Sequence, residues 1–331
     1  MLAIVLSVPA ALLLLAVVVS VALSPPGAGR RPAKELGVPH RAVIAHRGAS
    51  YWAPEATLPA YLLAREMGVD YLEGDLQRTK DGVIVVFHDD TLADKTNVAH
   101  VFPGRENDPI ETFTYEELMQ LDAGSWFNEA FPDRARPSFA GQRILTLEEL
   151  IDVAKAVEGG PGLYLETKSA HRHAGYEEEI VRILREAGYI AAPGATAGAV
   201  SSAVSAPLMF QSFVPESLVE LKRLAPDVPR VLLVSTEIEA ERGWDRLLEF
   251  AAAEAHAVGP IGFLAWPWNV GKAHRAGLIV HPYTINLAWQ MRLLAFFGVD
   301  GVFTDAPDLA LELYGHRRDV DSEALFEAIG Y

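Results

Sequence analysis

From about residue 40 onward the chain alternates between two apolar patterns. Continuous apolar runs at 43–48, 71–76, 83–88, 162–167, 208–213, 230–235, 261–266, 279–285 and 301–304 predict strands. Stretches with apolar residues three and four apart predict helices at 57–67, 114–121, 146–157, 176–187, 215–224, 242–255, 287–297 and 307–314. A strand covered on both faces shows an unbroken apolar run, whereas a helix buried on one side shows the 3.6-residue period. Strict alternation of the two predicts a parallel sheet of class α/β, and the number of units favours an irregular (β/α)8 TIM barrel over a doubly wound sheet. One connection breaks the pattern. Only Arg78-Thr79-Lys80-Asp81-Gly82 separates the second and third runs, too few residues for a crossover helix. Asp81-Gly82 is a turn signal, so a hairpin centred near Lys80 is expected, returning His88 to about the level of Glu73.

Other stretches depart from the alternation. Residues 93–143 carry many aromatics and turn residues but few strand signals, and read as an insertion after the third strand. Residues 187–207 are rich in Ala, Gly and Ser without periodicity and read as a loop. Ser24 to Pro39 is rich in Pro, Gly and basic residues and reads as a linker ahead of a domain spanning 40–331. Before it, Met1 to Gly29 holds no charged side chain, and Leu2 to Leu23 is almost wholly apolar. A spanning helix needs about 20 such residues and a signal-peptide core roughly 7–15, so residues 1–23 are expected to be a transmembrane anchor or a signal segment. Length favours the anchor; Ser20-Val21-Ala22 offers a cleavage site, which would make the protein exported. Either way membrane association is expected, with its side undecided: Arg30, Arg31 and Lys34 follow the span and point to the cytoplasm by only a small cationic excess.

Composition removes several chemistries. Of 331 residues, 44 are Asp or Glu against 28 Lys or Arg, for a formal net charge of −16. Such a surface repels a phosphate backbone, so broad nucleic-acid binding is excluded and any anionic substrate needs a local cation or metal. With no cysteine, disulfides, thiolate nucleophiles and zinc–sulfur sites are excluded together.

The strand ends carry the candidate chemistry. His46 closes Val43-Ile44-Ala45, and His88 closes Val83-Ile84-Val85-Val86-Phe87. As a pair they offer an acid and a base with unperturbed pKa about 6.5. Glu73 and Asp75, two apart on a strand, share one face. Glu166 ends another strand, and three carboxylates at strand ends make an oxygen-rich site suited to one Mg²⁺ or Ca²⁺. Arg47, beside His46, presents a fork that matches a phosphate, and Lys168, two along from Glu166, can point at the same centre.

In order and spacing, His46-Arg47-Gly48, Pro54-Glu55-Ala56-Thr57, Glu73-Gly74-Asp75, Thr79-Lys80-Asp81-Gly82 and His88-Asp89 resemble the glycerophosphodiester phosphodiesterase family, within the PLC-like phosphodiesterase superfamily. Glu166-Thr167-Lys168, Gln211-Ser212-Phe213, Tyr283-Thr284-Ile285-Asn286 and Gly298 to Asp305 look like its later signatures, so the resemblance spans roughly 42–314. It implies an irregular TIM barrel that uses one divalent metal to hydrolyse glycerophosphodiesters to glycerol 3-phosphate and an alcohol. His46 and His88 match the general acid/base pair, Glu73, Asp75 and Glu166 the metal ligands, and Arg47 and Lys168 the phosphate-contacting cations. Glu55, Phe213 and Tyr283 match supporting or pocket positions. The sequence departs at Ala56, where the family usually has Asn, and at Tyr283, where Trp is common. Neither change touches an acid, base or ligand; they bear on substrate preference. A second reading is a lysophospholipase D acting on membrane lysophospholipids, which the apolar N-terminus and the aromatic insertion would suit. A third, a non-catalytic membrane-anchored binding protein, is disfavoured because all seven site positions are present.

Overall fold

The computed structural model describes residues 8–23, 27–172, 174–191, 208–317 and 320–331. Among the described residues ten strands form one sheet: β1 Ala42–Ala45, β2 Tyr71–Arg78, β3 Ile84–Val86, β4 Leu145–Thr146, β5 Gly162–Thr167, β6 Leu208–Ser212, β7 Arg230–Val234, β8 Ala257–Pro260, β9 Ile279–Val280 and β10 Gly301–Thr304. Eight of them run parallel in the order β10-β1-β2-β5-β6-β7-β8-β9. The ladder stops short of a continuous ring. Backbone hydrogen bonds from Asp300 N to Val280 O, Phe303 N to Pro282 O and Ile285 N to Phe303 O nevertheless link its two ends. The architecture is thus an α/β barrel-like sheet ringed by helices.

Period-2 alternation divides each strand between two cores. Tyr71, Tyr164, Met209, Val231, Ala257, Ile279 and Phe303 pack together inside the sheet, while Val43, Leu72, Leu163 and Phe210 face the surrounding helices. Tyr164 stacks edge-on against Tyr71 and Phe303. Each fully buried ring contributes on the order of 1.5–3 kcal/mol. The stretch read as a linker contributes to this floor: Arg30–Glu35 is helical, and its Ala33, with Val38, is buried in the inner core.

The hairpin is present with a shifted centre. Leu76 pairs with Val86, Gln77 with Val85 and Arg78 with Ile84, which centres the turn on Asp81 rather than Lys80. Phe87 N donates to Asp75 O, so His88 emerges beside the acids of β2. A two-residue strand, β4, pairs with β3 and returns the chain from the excursion after β3; its Thr146 then caps helix Leu147–Lys155 through a capping box with Glu149. The stretch from Leu92 to Ile144 has its own apolar cluster around Phe113, packed on Val85 and Phe87.

One expectation needs correction. The run 261–266 is not a strand: β8 precedes it, and Gly262–Leu264 is a 3-10 turn before Pro267 opens the next helix. Of this run only Ile261 pairs with the sheet, through an isolated parallel bridge to Tyr283, while Phe263, Ala265 and Trp266 line a surface groove. The helix expected over 242–255 is present as Trp244–Glu254, and Gly243, with a φ of 78°, separates it from a further helix, Thr236–Arg242. At the N-terminus Val8–Leu23 is helical and packs against helix Pro267–Arg275. Among the described residues no helix is long and apolar enough to cross a membrane. Residues 1–7, 24–26 and 192–207, on which parts of the anchor, linker and loop readings fall, lie outside the described residues.

Candidate active site

Above the apolar floor the inward positions of the strands turn polar. Asp75 of β2 is in register with Glu166 of β5, and Glu166 with Gln211 of β6. Glu73 and Asp75 face inward by the same alternation that places Tyr71 in the inner core. Each of Glu73, Asp75 and Glu166 is buried, and one carboxylate oxygen from each lies within 4.8 Å of the others. Three buried carboxylates this close repel one another unless cations intervene. Arg47 Nε is 3.3 Å from Asp75 Oδ2, and Lys168 Nζ is 3.2 Å from Glu166 Oε1 and 3.9 Å from Asp75 Oδ1.

The electrostatic outcome differs for each acid. Burial and the Asp75 charge push the Glu73 carboxyl well above its ordinary value. Burial, again with Asp75, pushes Glu166 up to about 7. Burial also opposes ionisation of Asp75, but Arg47 and Lys168 outweigh it and hold this carboxyl below its ordinary value. Lys168 loses to burial and gains more from Glu166 and Asp75, which keeps it charged. Asp75 Oδ2 and Gln211 Oε1 are buried without a hydrogen-bond donor, while Gln211 Nε2 donates to Glu73 Oε1 at 3.0 Å. Hard, partly unsatisfied oxygens with excess negative charge fit a divalent cation of the Mg²⁺ or Ca²⁺ type.

Arg47 is placed by strained backbone. Its φ is 56° and that of Gly48 is 86°, two left-handed residues in succession. The turn aims Arg47 N at Glu73 Oε2 (2.8 Å), while Arg47 Nη1 donates to Glu55 Oε1 (2.9 Å). Glu55 thereby gains a definite contact: it holds Arg47 and is approached by Lys95 at 3.4 Å. Ala56 also has a positive φ, 56°, a conformation that Asn tolerates better than Ala.

Each histidine has its own carboxylate. His46 Nδ1 lies 2.7 Å from Asp305 Oδ1, and His88 Nδ1 lies 2.7 Å from Asp89 Oδ1. An ionised carboxylate only accepts, so both rings carry their proton on Nδ1 when neutral and leave Nε2 available. Asp305 also accepts from Ser50 Oγ and Asn286 Nδ2. Burial raises its carboxyl, but the hydrogen bonds from His46, Asn286 and Ser50 prevail and keep it below its ordinary value. Asp89 is held low chiefly by its bond to His88.

A cavity of about 200 Å³ is lined by His46, Arg47, Glu73, Asp75, His88, Glu166, Phe213 and Tyr283, joined by Gln211 and Thr284. Of the ten residues singled out in the sequence, Lys168 and Glu55 do not line it: one flanks the acids and the other holds Arg47. Sequence reasoning assigned no role to Asp305, Asp89 or Gln211. The His88-Asp89 dipeptide carried a usable signal; Asp305 became a partner of His46 only because β10 lies beside β1.

Comparison with known proteins identifies the family. The profile of the Glycerophosphoryl diester phosphodiesterase family matches residues 46–309. The chain is 36% identical over 269 residues to a glycerophosphodiester phosphodiesterase of Bacillus subtilis (strain 168), covering 80% of this chain and 84% of that one. It is 31% identical over 277 residues to one from Caldanaerobacter subterraneus subsp. tengcongensis, covering 82% and 96%. Among solved structures, an Oleispira antarctica phosphodiesterase in complex with the product sn-glycerol-3-phosphate superposes with TM-score 0.65 at 30% identity, covering 83% of this chain and 97% of that one.

Proposed function

The chain belongs to the glycerophosphoryl diester phosphodiesterase family and is a phosphoric diester hydrolase, and we propose that it cleaves glycerophosphodiesters to glycerol 3-phosphate and an alcohol by metal-dependent His/His catalysis. The observation that carries this reading is the convergence of two carboxylate-held histidines on a buried three-acid cluster in one cavity. The sn-glycerol-3-phosphate bound by the Oleispira relative supports the product class.

Glu73, Asp75 and Glu166 would hold one Mg²⁺ or Ca²⁺, which when bound offsets charge on a phosphoryl oxygen as a Lewis acid. Arg47 and Lys168 add positive charge where negative charge builds in the transition state. One imidazole accepts at Nε2 the proton of the nucleophile, either the neighbouring glycerol hydroxyl or water. The other, protonated at Nε2, gives its proton to the leaving alkoxide. Asp305 and Asp89 hold the rings in the tautomer this requires. The test is glycerophosphocholine hydrolysis by the full chain, with chelator and metal add-back, alongside His46→Ala and His88→Ala. Both variants are expected to lose at least about 10³-fold in kcat. Turnover within a few-fold of the parent in either, or indifference to chelation, would refute the mechanism.

The reading also includes membrane association through residues 1–23. Support comes from the apolar helix Val8–Leu23, which leaves Leu15, Val18 and Val19 exposed. Extraction of expressed full-length chain into alkaline buffer without detergent would count against it.

A further inference from the structure

The excursion after β3 returns one cation to the edge of the catalytic site. Lys95 Nζ lies 3.8 Å from the centre of the Trp126 ring and 3.4 Å from Glu55 Oε2. Lys95 and Trp126 both belong to that excursion, whereas Glu55 sits on the loop between β1 and helix Leu58–Met67. An ammonium over an aromatic face is attracted by the ring quadrupole, and indole is the strongest partner. The ring is itself fixed. Trp126 Nε1 donates to Ala123 O at 2.9 Å, and the ring packs edge-on against Phe127 and Phe131. Its helix, Ser125–Ala130, is held at its start by Asp122, which accepts from Gly124 N, Ser125 N and Ser125 Oγ.

The two oxygens of Glu55 therefore meet separate cations. Oε1 accepts from Arg47 Nη1 at 2.9 Å, and Oε2 faces Lys95. Arg47 in turn reaches Asp75 Oδ2 through Nε at 3.3 Å. Charges alternate along this row, and side-chain exposure falls from 25% at Lys95 to 2% at Asp75, so screening by water weakens inward. With Lys95 in place, Arg47, Glu55 and Lys95 together carry a net positive charge. Without it, Arg47 and Glu55 cancel, and the guanidinium expected to meet the phosphate is neutralised by its own support. Lys95 also adds, after His88 and Arg47, to the charge that holds the Asp89 carboxyl low. Its ion pair is with Glu55.

We infer that Lys95 is a positioning residue for the phosphate-binding arginine: seated on Trp126, it offsets the Glu55 charge, so that Glu55 orients Arg47 without cancelling it. The inference rests on the diester-hydrolase reading, in which Arg47 contacts phosphate, and it gives the excursion after β3 a part in substrate binding. Lys95 is not among the residues lining the catalytic cavity, so its action passes through Glu55.

The test is a double-mutant cycle of Lys95→Met and Glu55→Gln, read by steady-state hydrolysis of glycerophosphocholine by the full chain with Mg²⁺ or Ca²⁺. Lys95→Met should raise KM about two- to fivefold, the range a partly exposed ion pair carries, with kcat within about twofold. Lys95→Arg keeps a cation on the ring and should stay within about twofold of the parent in both constants. In the Glu55→Gln background, Lys95→Met should change KM by less than about 1.5-fold, because the charge it offsets is gone. A full KM effect in that background would mean that Lys95 attracts the substrate directly. A fall in kcat with KM intact would place its action on His88 through Asp89. Either result, an unchanged KM in Lys95→Met, or a Lys95→Arg variant no better than Lys95→Met overturns the proposal and leaves the hydrolase reading standing. If no diester is hydrolysed, the activity reading fails, and calorimetric binding of inorganic phosphate with Mg²⁺ decides Lys95 separately. Weaker binding in Lys95→Met that vanishes in the Glu55→Gln background supports it; equal binding overturns it.

Discussion

Asp305, at the end of the last strand, accepts a 2.7 Å hydrogen bond from Nδ1 of His46, at the end of the first, across 259 residues of chain. The pairing leaves Nε2 of His46 free for the proton transfer proposed for it. In Asp305→Asn the amide can instead present N–H to Nδ1 and favour the wrong tautomer. We expect kcat for glycerophosphocholine to fall about 10²- to 10⁴-fold with KM within about threefold. A comparable rise in KM with kcat intact would assign Asp305 to substrate binding.

Glu55 acts on the site through Arg47 and not through the substrate cavity. Removing its charge in Glu55→Gln loosens the guanidinium that is expected to meet the phosphate. The predicted result is a KM raised about three- to tenfold with kcat within about twofold. Steady-state kinetics in which kcat alone falls would contradict a positioning role.

Metal binding by the buried acids, as proposed, would be linked to pH. Burial raises Glu73, and Glu166 to about 7 from an ordinary 4.5. A carboxyl whose pKa is higher when folded binds more protons in the native state. Its stabilising contribution is present below about 4.5 and lost as pH rises through about 7. A cation that neutralises the cluster removes this loss and competes with protons at low pH. The rise in Tm on adding Mg²⁺ or Ca²⁺ should therefore grow between about pH 5 and about pH 8. Glu166→Gln should reduce that growth. An increment independent of pH in the parent chain would remove the acids as the binding groups.

Gly48 lets the chain turn immediately after His46 and Arg47. Its φ is 86°, and a Cβ there would meet the carbonyl carbon of Ala60 at 2.7 Å. Gly48→Ala is expected to cost about 2–4 kcal/mol and to lower Tm by several degrees in calorimetry. A Tm unchanged from the parent would show that the turn relaxes without strain.

Much of the site was legible because its signals are local. Glu73 and Asp75 share a face whatever the rest of the chain does, since strand side chains alternate with period two. The hairpin was legible from Asp81-Gly82 and missed its centre by one residue, because turn residues mark a reversal more firmly than a register. The short strand β4 was illegible: two residues carry no period, and Thr146 reads equally well as the cap of the helix it precedes. The run 261–266 was misread for a related reason. Apolarity does not distinguish pairing from lining, and here only Ile261 meets the sheet while the rest borders a groove.

The sequence by itself determined the alternation of strand and helix, the placement of both histidines just after strands and of three acids on strands, and the family whose pattern they match; Glu73 and Asp75, expected near a strand end, lie in the middle of β2. Tertiary structure decided which of these groups meet. Parallel order places β10 beside β1 and so gives His46 its carboxylate, and it sets β2 beside β5 so that Asp75 faces Glu166. It also brings the turn at 262–264 against helix Ala288–Phe297, opening an apolar groove that shares Tyr283 with the polar site. Periodicity states which residues must leave water. Their partners are set by strand order and sheet closure, which are properties of the whole chain.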